Sequence, residues 1–289
     1  SRGAQGRVCL RSADICAGDT SGEPPTPTHL RVLMLLPDQC DVCAVERQRK
    51  ALVICVDGCR PDVLLMAAGR LLSPLLASPG VSFTFHARCD NVPVSLPSWA
   101  STFTGVDQST HQLMSNDEQS PPAVPSVMHR LKQATATSGT TTSLYCSGWW
   151  GLRNIFSSAG RRAGTFGWRE GDEAHVAGIV DSMHSFGAEL PPGSDFAPGA
   201  YPGDAAATAK LCKAIEAGAA DLNVIYLCDV DRVGHRDGFG MSVPTYASAV
   251  ESMMRDKVMP LFEKVAERQA VASETEEWLV IVTTDHGGS

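Results

Sequence analysis

The chain has no run approaching the roughly 18 to 20 consecutive apolar residues that a membrane-spanning helix needs, so none of its 289 residues is expected to cross a bilayer in that form. It is also short of basic charge, since 24 Lys and Arg against 32 Asp and Glu leave a net charge of −8. That balance excludes a protein gripping a phosphate backbone through clustered cations, and nucleic acid is not expected as a structural partner. No Asn-x-Ser/Thr sequon is present, which disfavours a glycosylated secreted form. Cys40 and Cys43 form a CxxC pair, but no second CxxC or paired histidines follow at zinc-finger spacing. Ten cysteines in a chain of this length define no disulfide framework, and Cys55, Cys146 and Cys228 lie in apolar stretches where a free thiol packs as a small hydrophobe. No internal repeat is visible. Core material is plentiful: 43% hydrophobic against 19% charged residues excludes wholesale disorder and predicts a globular fold.

Residues 1–48 mix Gly, Pro, Ser, Thr and Arg without sustained periodicity and are expected to form a flexible lead-in, with one catalytic domain over residues 49–289. The domain opens with Ala51-Leu52-Val53-Ile54-Cys55-Val56, a continuous apolar run ended by Asp57-Gly58, as in a strand buried on both faces. Asn223 to Cys228 and Trp278 to Thr283 repeat the design strongly, and Ser143 to Gly148 more weakly. Between them lie helical patterns at Asp204 to Ala219 and after Pro244, the latter with Val250, Met253, Met254, Val258, Leu261, Phe262 and Val265 on one face as core packing. Gly187 to Gly203 is expected as a long surface loop. Strands alternating with helices predict an α/β three-layer sandwich, a mostly parallel central sheet with helices on both faces. The chain starts at Ser1 and stops just after an apolar run, so it is expected to be a C-terminally truncated piece, with compartment and oligomeric state open.

In such sheets ligands bind beyond the carboxyl ends of the strands. The residues there are Asp57, then Asp229 and the Asp231-x-x-Gly-His235 motif, then Asp285-His286-Gly287-Gly288. Carboxylate and imidazole together are the donors that zinc and similar divalent ions accept. Asp231 and His235 are expected to share one short loop, with Gly234 where the backbone turns. Ser95, two residues before Pro97, is expected near a helix N-terminus, where an anion meets free N–H groups and the positive end of the dipole. Each feature has an ordinary reading, with Asp57 and Ser95 as helix caps and His235 as a loop residue. The ordered set is harder to obtain by chance.

Val56-Asp57-Gly58, Ser95-Leu96-Pro97-Ser98-Trp99, Asp231-Arg232-Val233-Gly234-His235 and Thr284-Asp285-His286-Gly287-Gly288, in this order over about residues 50–289, resemble the alkaline phosphatase superfamily and most closely its type I phosphodiesterase/nucleotide pyrophosphatase-like branch. The resemblance implies an alkaline phosphatase-like fold and two divalent metal ions, with Zn2+ expected. Asp57, Asp285, His286 and Ser95 would hold one ion, and Asp231 and His235 the other together with a third His further towards the C-terminus. It implies hydrolysis of a small-molecule phosphodiester or phosphomonoester through a phosphoserine at Ser95, where the nucleotide pyrophosphatases usually have Thr. Because the third His is absent, the piece itself is expected to hold at most one ion tightly and to be nearly inactive. The alternatives are a sulfatase, a phospho-group transferase or a catalytically silent metal-binding fragment. Trp99 stands where the related sulfatase motif has Arg. Trp149, Trp150 and Trp168 are open to pocket or core roles, and Arg153 and Arg232 to phosphate contact or surface charge.

Overall fold

A computed structural model describes residues 29–34, 47–89, 93–118, 120–135, 139–147, 149, 151–157, 178–186 and 202–288. Cys40, Cys43, Trp150, Trp168 and the expected 187–203 loop, apart from its last two residues, lie outside the described set. In chain order the elements are β1 (His29–Met34), β2 (Gln48–Val56), α1 (Pro61–Leu76), β3 (Val81–Ala87), α2 (Ser95–Thr104), α3 (Gln108–His111), α4 (Val127–Ala134), β4 (Thr142–Ser147), α5 (Gly151–Phe156), β5 (Ser182–Phe186), α6 (Pro202–Glu216), β6 (Leu222–Leu227), α7 (Asp229–Asp237), α8 (Pro244–Met253), α9 (Met259–Ala272) and β7 (Glu276–Thr283).

The strands form one sheet in the order β3-β1-β7-β2-β6-β4-β5. From β7 to β5 neighbouring strands are parallel, while β1 runs antiparallel to both β3 and β7. Because side chains alternate across a strand, β2 sends Leu52, Ile54 and Val56 to one face and Cys55 to the other. On the first face they meet Val63, Leu64, Ala68 and Leu72 of α1, Leu211 and Ile215 of α6, and the apolar stripes of α8 and α9. On the second face lie Leu96, Trp99 and Phe103 of α2, Met128 of α4, and Leu152, Ile155 and Phe156 of α5. The expected three-layer α/β architecture is thus present. Cys55, Cys146 and Cys228 are buried free thiols, as expected.

Three strands were not legible in the sequence. β1 falls inside the segment expected to be a flexible lead-in, which corrects that boundary: His29–Met34 is too short a run to stand out among its Pro-rich flanks, yet it pairs with both β3 and β7. The expected single helix after Pro244 is interrupted by a π turn, Met254–Val258. Pro260 has no N–H to give Asp256, and Met259 N–H reaches back to Met254 O. Among the described residues no helix is long and apolar enough to cross a membrane.

Candidate functional site

β7, β2 and β6 are adjacent and parallel, so the residues that follow them are delivered to one edge of the sheet. Asp57 follows β2, Asp229 opens α7 directly after β6, and Asp285-His286 follow β7. The backbone knits these ends together. Asp57 N–H donates to Leu227 O at 3.0 Å, and Cys59 N–H to Thr284 Oγ1 at 3.1 Å. Gly58 N–H and His286 N–H both donate to Asp285 Oδ1, at 3.2 and 2.9 Å. Gly58 itself is required, since φ is +64° and a Cβ there would stand 2.6 Å from Asp231 Oδ1 and 2.9 Å from Asp231 Cα.

Ser95 arrives from the other face of the sheet as the first residue of α2, with Val94 as N-cap, so it is not itself the cap. The hub of the site is His286 Nε2, which lies 3.1 Å from Ser95 Oγ, 3.3 Å from Asp57 Oδ1 and 3.4 Å from Asp285 Oδ2. Gly288 N–H donates to His286 Nδ1 at 3.2 Å, which turns the other ring nitrogen toward the carboxylates. The ligand atoms of Asp57, Asp285 and His286 all lie within 4.8 Å of one another, the one such grouping of three among the described residues.

Asp57 Oδ1, Asp231 Oδ1 and Asp285 Oδ2 are buried and accept no hydrogen bond. Burial first, and then the charge of a neighbouring carboxylate, Asp231 for Asp57 and Asp57 for Asp285, push Asp57 and Asp285 above the ordinary carboxylate range. Buried carboxylate oxygens gathered around one imidazole nitrogen and a hydroxyl form a donor set that fits a divalent cation. Asp231 and His235 stand beside this group as a separate pair, with His235 Nε2 3.3 Å from Asp231 Oδ2. Its hydrogen bond to Asp231 raises the His235 pKa. Here the sequence expectation is corrected. Both residues lie on α7, one turn apart, not in a loop. Gly234 is needed for contact, not for a turn, because a Cβ there would overlap the Phe239 ring. Asp57 caps nothing, since Arg60 is the N-cap of α1.

Several contributors escaped the sequence reading. Tyr226 OH donates to Asp57 Oδ2 from β6, on the same chain end that leads to α7. Asn116 Oδ1 accepts Leu96 N–H at 2.8 Å, beside Ser95. Buried Asp204 of α6 accepts Cys228 N–H at 3.1 Å, Asp229 N–H at 3.0 Å and the Ser147 hydroxyl, and so seats the start of α7. Of the side chains left open by the sequence, Trp149 is half-buried against Tyr226, with ring centroids 5.6 Å apart. Arg153 is buried and Arg232 is exposed. Trp99 is wholly buried and edge-on to Tyr226, so no cation occupies the position of the sulfatase arginine.

Residues 51–289 match the family described as type I phosphodiesterase / nucleotide pyrophosphatase. Among solved structures, murine ectonucleotide pyrophosphatase/phosphodiesterase 5 is similar at 16% identity with a TM-score of 0.52, covering 83% of this chain and 57% of its own. An inactive form of the same murine protein in complex with AMP is similar at 15% identity with a TM-score of 0.53 and the same coverage. Phosphonoacetate hydrolase from Sinorhizobium meliloti is similar at 16% identity with a TM-score of 0.45, covering 75% of this chain and 54% of its own. The chain therefore spans little more than half the length of these proteins. No curated protein sequence matches it.

Proposed function

Because the chain belongs to the type I phosphodiesterase / nucleotide pyrophosphatase family, we propose that it carries the nucleophile and most metal ligands of a phosphoester hydrolase that acts through a covalent phosphoserine at Ser95. The observation that carries this reading is the meeting of buried Asp57 Oδ1 and Asp285 Oδ2 with His286 Nε2, which sits 3.1 Å from the Ser95 hydroxyl. Asp57, Asp285, His286 and Ser95 would hold one cation, with zinc the expected ion, and Asp231 and His235 the other. When bound, the ions would supply charge that lowers the pKa of the Ser95 hydroxyl and favours an in-line displacement at phosphorus.

The chain's own residues do the rest. Ser95 stands at the N-terminus of α2, where the positive end of the helix dipole favours a phosphoryl group. Asn116 spends its carbonyl oxygen on Leu96 N–H, which leaves its NH2 group to donate to a phosphoryl oxygen. Tyr226 fixes one oxygen of Asp57 and leaves the other for coordination. Ser95 Oγ bonds to phosphorus as the alcohol oxygen departs with the Ser95 proton, and water then bonds to phosphorus from the vacated side as the bond to Ser95 Oγ breaks, giving one proton to Ser95 Oγ. The first set offers four protein donors and the second two, so a cation binds more tightly at the first. The murine relative was solved with AMP, which supports a small phosphoester as substrate.

The test is turnover of bis-p-nitrophenyl phosphate, p-nitrophenyl phosphate and p-nitrophenyl sulfate by the zinc-loaded full-length protein and its Ser95→Ala variant. Phosphate-ester turnover that is largely lost in Ser95→Ala supports the reading. Equal rates in the two proteins, or a preference for the sulfate, would overturn it.

A further inference from the structure

We propose that Phe239 and Tyr246 are positioning residues that lock three of the four ligand-bearing segments of the site, all but the start of α2, into one register. The inference rests on the metal-site reading above and concerns how that site is held.

Phe239 lies in the loop after α7, outside any helix or strand, between Gly238 and Gly240, whose φ values of +103° and +144° suit glycine. Its ring covers two further glycines that belong to different segments. A Cβ at Gly234 of α7 or at Gly288 after β7 would overlap the ring. The same ring meets the His235 imidazole edge-on, with centroids 5.4 Å apart at 85°, and the Tyr246 ring at 5.5 Å and 63°. Tyr246, wholly buried on α8, carries the contact to the third segment. Its hydroxyl accepts Arg60 N–H at 3.0 Å and donates to Gly58 O, clasping the turn directly after Asp57.

Two rings therefore touch the turn holding Asp57, the helix holding Asp231 and His235, and the tail holding Asp285 and His286. Ordinary core packing would account for a buried aromatic pair. It would not require glycine at two ligand-bearing backbones to admit one half-buried ring, nor a tyrosine hydroxyl bridging both sides of the Gly58–Arg60 turn. Removing the Phe239 ring frees α7 and the tail to shift independently, and removing the Tyr246 hydroxyl frees the turn.

The experiment is titration of metal-free protein with cobalt(II), following the visible spectrum that reports ligand geometry, with circular dichroism to confirm the fold. Phe239→Ala and Tyr246→Phe are compared with wild type and with Phe262→Ala, a core truncation in α9, which bears none of the ligands. Loss of a supporting contact around metal ligands typically weakens binding about 10- to 100-fold. That loss, with an altered spectrum, is expected in Phe239→Ala and Tyr246→Phe, while Phe262→Ala keeps the wild-type affinity and spectrum. Tyr246→Phe removes one oxygen only, so it decides the matter if Phe239→Ala does not fold. Wild-type affinity and spectrum in folded Tyr246→Phe and Phe239→Ala would overturn the proposal, as would the same loss in Phe262→Ala. Wild-type protein that takes up no cobalt would instead overturn the metal-site reading, and this inference with it.

Discussion

Replacing Gly58 by Ala separates what a backbone conformation costs from what a displaced ligand costs. Gly58 has φ +64°, and an L-residue in the left-handed region costs roughly 1–2 kcal/mol. Gly105, at the end of α2, has φ +73° and nothing within 4 Å of the position a Cβ would take. Gly105→Ala therefore carries the backbone cost alone. In Gly58→Ala the new methyl would stand 2.6 Å from Asp231 Oδ1 and 2.9 Å from Asp231 Cα. Ordinary carbon contacts lie at about 3.5–4.0 Å, so Asp231 or the α7 backbone must give by roughly 1 Å. A shift of that size in a catalytic group can cost about 10²-fold in rate. Both variants should melt lower than wild type, by a few degrees per kcal/mol, on the order of 2–4 °C for a larger domain. With both substitutions made in the full-length protein, only Gly58→Ala should lose turnover of bis-p-nitrophenyl phosphate on that scale. If Gly58→Ala turned over as fast as Gly105→Ala, Asp231 would not be a ligand whose position matters, and the reasoning would fail.

Asp57→Asn and His286→Ala should each lower zinc per chain by elemental analysis of purified protein, and unchanged stoichiometry in both would contradict the first metal set. Asp204→Asn should be less stable than wild type by about 1–3 kcal/mol at pH 5, because Asp229 N–H then faces an NH2 group in place of a carboxyl oxygen that can accept. The Asp204 pKa is pushed up to about 6, first by burial. A carboxyl protonated more readily folded than unfolded favours the fold at low pH, and that contribution is lost as pH rises through about 6. The stability gap between wild type and Asp204→Asn should therefore narrow from pH 5 to pH 8 in thermal unfolding of metal-free protein, whereas a widening gap would refute the assignment.

The parallel strands at the centre of the sheet were legible because each is a continuous apolar run ended by an acidic or turn-forming residue, as at Val56-Asp57 and Leu227-Cys228-Asp229. β1, β3 and β5 were not, being short strands of mixed polarity at or near the sheet edges. Asp57, Asp285 and His286 stood out because their motifs are local in sequence. Tyr226 did not, since its partner Asp57 is 169 residues away, and Tyr246 reaches Gly58 across 188. Gly234 was marked for the wrong reason, because a missing Cβ looks the same in sequence whether it frees a turn or admits the Phe239 ring. Asp204 looked like any acidic residue in a first helical turn, and only the fold brings the N–H groups that open α7 to its carboxylate.

The most direct test of the central claim is to acid-quench the zinc-loaded full-length protein during turnover of a phosphoester and to map the phosphoryl group by peptide mass spectrometry. The account predicts one phosphoryl group on the peptide containing Ser95, absent from Ser95→Ala and from protein treated with chelator. Turnover without any phosphorylated Ser95, or a phosphoryl group that persists in Ser95→Ala at another residue, would contradict it.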